Sequence, residues 1–126
     1  MFKINYVIVE ADSFNKQESN DPNDWTPYPV TGYLVETGYP EPLAVRKSSR
    51  HKNAWVVDDV NTGVLVRTAS FKSRAQAIEA AKQWAGKVHD MALHDSYAVY
   101  SDLSNRLRLI CEHYKCTNLR YQPKEG

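Results

Sequence analysis

Alternation of apolar and polar positions marks the first element at once. Phe2, Ile4, Tyr6 and Ile8 fall on one face of an extended segment from Phe2 to Glu10, and Val7 and Val9 add apolarity to the other. A strand apolar on both faces at its end is expected inside a sheet or covered on both sides. Gly32 to Thr37 and Leu43 to Ser48 read as two further strands, parted by Gly38-Tyr39-Pro40-Glu41-Pro42. Ala54 to Val60 and Val64 to Ser70 flank Asn61-Thr62-Gly63, which predicts a hairpin with a three-residue loop closed by a left-handed glycine. That register sets Val60 opposite Val64, Asp58 opposite Val66 and Val57 opposite Arg67. It also leaves Asp59 diagonal to Arg67, within reach of an ion pair.

The period then changes from strand to helix. Ser73 is a good N-cap, and Gln76 three residues later completes a capping-box pattern. Ala77, Ile78, Ala81, Trp84, Ala85 and Val88 form one apolar stripe at helical spacing. This helix either stops near Gly86 or continues through Met91 and Leu93. Ser101 or Asp102 can cap a last helix, with a stripe of Leu103, Leu107, Ile110, Cys111 and Tyr114. Residues 117–126 read as a loose polar tail.

Ala11 to Pro29 is the irregular part. It is polar and turn-rich, and Pro22, Pro27 and Pro29 argue against a strand because proline cannot donate to a ladder. A long loop at 11–29 is therefore expected, and connections of that length tend to be functional. The elements together predict one α+β domain over residues 1–126. Its sheet is mostly antiparallel, of about five strands, with two or three C-terminal helices packed on one face.

Composition narrows the class without naming a function. The chain has 126 residues, is 42% apolar and 25% charged, and holds no apolar run long enough to span a membrane. Its N-terminus lacks the pattern of a signal peptide, and Cys111 and Cys116 make no disulfide framework, so a cytoplasmic protein is expected. Charge is uneven. Residues 1–45 hold two basic and seven acidic side chains, a net of −5, against +6 for the remainder. Such asymmetry either marks a face for a charged partner or is merely solvated.

Candidate chemistry is sparse. Cys111, His113 and Cys116 lack the second ligand pair that zinc requires, and thiols five apart on a helix diverge. His89-Asp90 and His94-Asp95 are adjacent pairs, which do not face each other on a helix. No phosphate-cradling glycine loop and no nucleophile elbow occurs. No catalytic residue, metal site or cofactor is expected.

Two surfaces remain. Asp24, Trp25 and Tyr28, with Tyr39 and Glu41, place aromatics and prolines among acids, the residue types that anchor protein interfaces. Arg46, Lys47, Arg50, Lys52 and Arg67 are the rival set, able to contact phosphates if they converge.

The run from Ala54 to Ala81, Ala-Trp-Val-Val-Asp-Asp-Val-Asn-Thr-Gly-Val-Leu-Val-Arg-Thr-Ala-Ser-Phe-Lys-Ser-Arg-Ala-Gln-Ala-Ile-Glu-Ala-Ala, resembles hairpin-to-helix segments of many small phage and plasmid proteins. The likeness covers about a quarter of the chain, rests on structural residues and transfers no site. It implies a counter-defence inhibitor or small regulator that binds a host protein. The expectation is a non-enzymatic binding protein acting on a macromolecular partner, such as a host-defence nucleoprotein of CRISPR or restriction type. The alternative is a nucleic-acid-binding accessory protein using the basic 46–52 segment.

Overall fold

The computed structural model describes residues 2–16, 22–61, 63–66 and 70–93, with the side chains of Pro22, Trp25, Val64, Met91 and Ala92 outside that description. The chain is α+β. Strands β1 (Phe2–Ala11), β2 (Trp25–Val35), β3 (Leu43–Lys47), β4 (Trp55–Asp59) and the two-residue β5 (Val64–Leu65) pair in sequence order, every pair antiparallel. Helix α1 (Arg74–Leu93) follows.

The helix begins as its sequence requires. The Gln76 amide donates to the Ser73 hydroxyl at 3.2 Å, while the Gln76 side chain reaches back to the Lys72 amide at 3.1 Å rather than to that of Ser73. Gly86 does not end it. Ala77, Ala81, Ala85 and Val88 bury against Val35, Leu43, Val45 and Val57 on one face of the sheet. The second predicted helix, with His94, Asp95, Cys111, His113 and Cys116, and the tail at 117–126, lie outside the described residues.

The opposite face builds a second core from Ile4, Tyr6, Ile8, Ala44 and Val60, with Val30 and Leu34 beside it. A flat sheet cannot bring Tyr6 and Val60 together. Strands β1 and β4, three spacings apart, would lie ~14 Å from each other. The sheet is instead curled until its ends meet. The Val9 amide donates to the Gly63 carbonyl at 2.7 Å, and Arg50 pairs with Glu10 at 3.1 Å. The curl buries Ile4, Tyr6 and Ile8 on the inner face of β1, and Val7 and Val9 on its other face are buried as well.

Two sequence expectations are corrected by this curl. The predicted loop at 11–29 ends at residue 24, because β2 begins at Trp25 and runs through Pro27 and Pro29. The register explains why proline is tolerated. Val9 lies opposite Pro27 but sends its amide away from β2, to Gly63, so the two form a non-hydrogen-bonded pair. The Pro27 nitrogen must then face the other edge of β2, and Pro29, two residues on, faces it too. Strand β3 pairs with Tyr33, Leu34 and Val35, so among the described residues no strand pairs with that edge where the prolines stand.

The hairpin register is the second correction. Asp59, not Val60, lies opposite Val64, and Asp58 lies opposite Leu65. Val60 joins the loop and is 1% exposed, packed into the inner core beside β1. The Gly63 amide closes the turn on the Asp59 carbonyl at 2.7 Å, with Gly63 left-handed at φ 73° as its sequence predicts. Arg67 lies outside the described residues, and the proposed Asp59–Arg67 pair with it.

Candidate functional site

Three polar side chains meet inside the curl, one each from β1, β3 and β4. Strand alternation points Tyr6, Arg46 and Asp58 inward together with Ile4, Ile8 and Ala44. The Tyr6 hydroxyl donates to Asp58 Oδ2 at 2.6 Å. The Arg46 guanidinium donates to both Asp58 oxygens, Nε at 2.6 Å and a terminal nitrogen at 3.3 Å. All three are buried, Arg46 at 5% exposure and the other two at zero. Gly32 makes room for them, since a Cβ there would lie 3.0 Å from the Tyr6 hydroxyl.

Electrostatics fixes the proton inventory of this network. Burial, then the Asp58 charge, pushes the Tyr6 phenol far above its ordinary value, so it stays a donor. Burial works against the Arg46 charge, but the Asp58 carboxylate and its hydrogen bonds outweigh it and the guanidinium is held more firmly protonated. Burial pushes the Asp58 carboxyl up, opposed by the Arg46 charge and by the bonds from Arg46 and Tyr6. The three groups bond one another behind apolar walls. Their chemistry is directed at the fold.

A second cluster fastens the β2–β3 loop to the helix. His89 Nδ1 lies 2.8 and 2.9 Å from the two Glu41 carboxylate oxygens, and the Tyr39 ring tilts over the imidazole with centroids 5.2 Å apart. Gly86 is the small residue that lets Tyr39 approach, a Cβ there lying 3.2 Å from its hydroxyl. The adjacent Asp90 is not the partner of His89. Glu41, 48 residues away in sequence, is.

The third feature is the far end of the β1–β2 ladder. Asp12 donates its amide to the Asp24 carbonyl at 2.8 Å and accepts a bond from the Thr26 hydroxyl, while Lys16 pairs with Asp24 at 3.2 Å. On this tied end Phe14 is 84% exposed and Tyr28, opposite Ile8, is 46% exposed.

The predicted site residues separate accordingly. Asp24 and Tyr28 belong to this end of the β1–β2 ladder, the end of a two-stranded arm, where Trp25 opens β2 with its side chain outside the description. Tyr39 and Glu41 belong to the helix clasp. Of the basic set, Arg46 serves the interior, while Lys47, Lys52 and Arg50 are exposed, Arg50 paired with Glu10. Sequence reasoning missed the Tyr6–Arg46–Asp58 network altogether. Its signal was present: opposite charges embedded in two neighbouring apolar runs, Leu43-Ala44-Val45-Arg46 and Val56-Val57-Asp58.

Among the described residues no cluster of three His, Cys, Asp or Glu side chains is placed to hold a metal ion, and no helix is long and apolar enough to cross a membrane. Compared with protein-family models, with curated proteins and with solved structures, the chain matches none.

Proposed function

We propose that this is a non-enzymatic binding protein that inhibits or modulates a macromolecular partner through the far end of its β1–β2 arm. A host-defence nucleoprotein of the CRISPR or restriction type, the target class of many small phage and plasmid proteins, is the partner class proposed. The observation that carries the reading is the pair of exposed aromatics, Phe14 and Tyr28, on an arm end already tied by Asp12, Lys16, Asp24 and Thr26. Aromatic anchors dominate interface energetics, and anchors held in place before binding lose little entropy on docking. The basic segment supports the alternative, nucleic-acid reading less well. Arg46 is buried on Asp58, which leaves Lys47, Lys52 and Arg50, the last shared with Glu10, as its exposed cations among the described residues.

Affinity capture from a lysate of the native host, with and without nuclease, tests this. The expected result is a nuclease-resistant partner, lost by about tenfold or more in Phe14→Ala/Tyr28→Ala while the unfolding midpoint stays put. Unchanged capture by that variant would sink the arm assignment. Capture abolished by nuclease would transfer the function to nucleic acid and to Lys47, Arg50 and Lys52.

A further inference from the structure

Among the described residues, the curl of the sheet is closed by few groups. Strand β1 is bound to β2 along ten residue pairs, but on its other edge the described backbone link is Val9 to Gly63. The ion pair outside that link, Arg50 with Glu10, is solvent-exposed and screened, and such pairs hold geometry weakly. Inside the curl the contacts are directional. Tyr6 on β1 reaches across to Asp58 on β4 at 2.6 Å, and Arg46 on β3 grips the same carboxylate from the side. Arg46 also donates to the Lys47 carbonyl at 3.4 Å, which anchors its guanidinium to β3.

We propose that the Tyr6–Asp58–Arg46 network is a closure latch, whose Tyr6 arm holds β1 against the β4–β5 turn and so sets the pose of the β1–β2 arm. The apolar residues around it attract without a preferred direction, whereas a hydrogen bond to a charged acceptor sets both a separation and an orientation. Tyr6 is the single member on β1, and Arg46 and Asp58 stay paired with each other on neighbouring strands whether or not it engages. Releasing it lets water take the place of its hydroxyl, so the ring can swing out without unmaking the β3–β4 pair. The device is thus one-sided: β3 and β4 carry the socket and β1 carries the tongue. The inference stands whether or not the arm is the binding surface.

Hydrogen exchange of individual amides in the full chain tests it. In Tyr6→Phe the Val9 amide, which donates to Gly63, should exchange about tenfold faster, equivalent to ~1.4 kcal/mol. The amides of Trp55 and Phe71, which bond to each other's carbonyls away from the closure, should keep their rates. The triple variant Tyr6→Phe/Arg46→Met/Asp58→Leu replaces the network by apolar groups of similar size, an exchange that buried ion pairs often tolerate. It should keep its helix content by circular dichroism and still lose Val9 protection. A Val9 amide as slow as the parent's in the triple variant would show that apolar packing closes the sheet and overturn the latch. Equal acceleration at Val9, Trp55 and Phe71, or loss of the fold in both variants, would overturn it too, by making the network a prop of the whole domain.

Discussion

Gly32 is the residue on which the curl can be tested most directly. A methyl group added there would lie 2.7 Å from the Val45 carbonyl oxygen, 3.0 Å from the Tyr6 hydroxyl and 3.1 Å from the Tyr6 ring. Gly32 is not among the glycines with positive φ, so alanine fits its backbone and only the contact is at issue. Bringing the shortest distance to ordinary van der Waals contact needs a shift of several tenths of an ångström. Neither neighbour can give it. Val45 is fully buried and paired on both sides, with Tyr33 and with Val57, and the Tyr6 hydroxyl is held by Asp58 at 2.6 Å. Overpacking of this kind costs about 1–3 kcal/mol. Against it, alanine restricts the unfolded chain and returns about 0.4–1 kcal/mol. The overpacking wins, and Gly32→Ala should be destabilised by about 1–2 kcal/mol. Gly38→Ala is the contrast. Nothing lies within 4 Å of its would-be Cβ, but its φ of 82° penalises alanine by about 1 kcal/mol through the backbone alone. Urea unfolding followed by far-ultraviolet circular dichroism gives both values, provided the slopes match the parent's. A Gly32→Ala protein as stable as the parent would refute the close approach of Gly32 to the Val45 carbonyl and Tyr6.

Further outcomes follow from the same geometry. Asp58→Ala strands a buried guanidinium and should cost about 3–5 kcal/mol, a large part of the 5–15 kcal/mol of a typical domain; a loss under about 1 kcal/mol in the same urea titration would refute the pairing. Burial and Asp58 hold the Tyr6 phenol above its unfolded value, so the folded chain keeps a proton that the unfolded chain loses above pH ~10. Its contribution is complete below that pH and declines above it by up to ~1.4 kcal/mol per pH unit. Tyr6→Phe should lack this alkaline decline relative to the parent between pH 9 and 11, and parallel stability curves would contradict it. The half-buried His89–Glu41 contact should show a coupling of about 1 kcal/mol or less in a double-mutant cycle with alanine at each position, and a coupling above about 2 kcal/mol would mark it as more than a clasp.

Local order was written in local sequence. The helix over 74–93 was legible from Ser73, Gln76 and the stripe at Ala77, Ala81, Ala85 and Val88, because capping and helical periodicity involve residues three or four apart. Strand β1 was legible from its period of two, and Gly63 from the turn conformation that only glycine adopts freely. The charge asymmetry and the aromatic, proline-rich character of 24–42 were equally plain. What those residues do once folded was not. Trp25 to Pro29 reads as loop by composition, yet becomes strand because the Val9 amide turns to Gly63 and the proline nitrogens face the other edge of β2, where they owe β1 no hydrogen bond.

Tertiary structure decided the rest, each time through contacts distant in sequence. Val60 is drawn out of the predicted ladder into the inner core, and a one-residue shift of a strand register follows from that single burial. Arg46 leaves the predicted basic surface because Asp58 and Tyr6, 12 and 52 residues from their partners, meet it inside the curl. Glu41 is drawn to His89, 48 residues away in sequence. The sequence alone determined which segments could be strands, turns and helix, since propensity and periodicity act over a few residues. Only closure of the sheet determined which charges face inward and which aromatics stay outside, since burial is settled by neighbours that the chain brings together last.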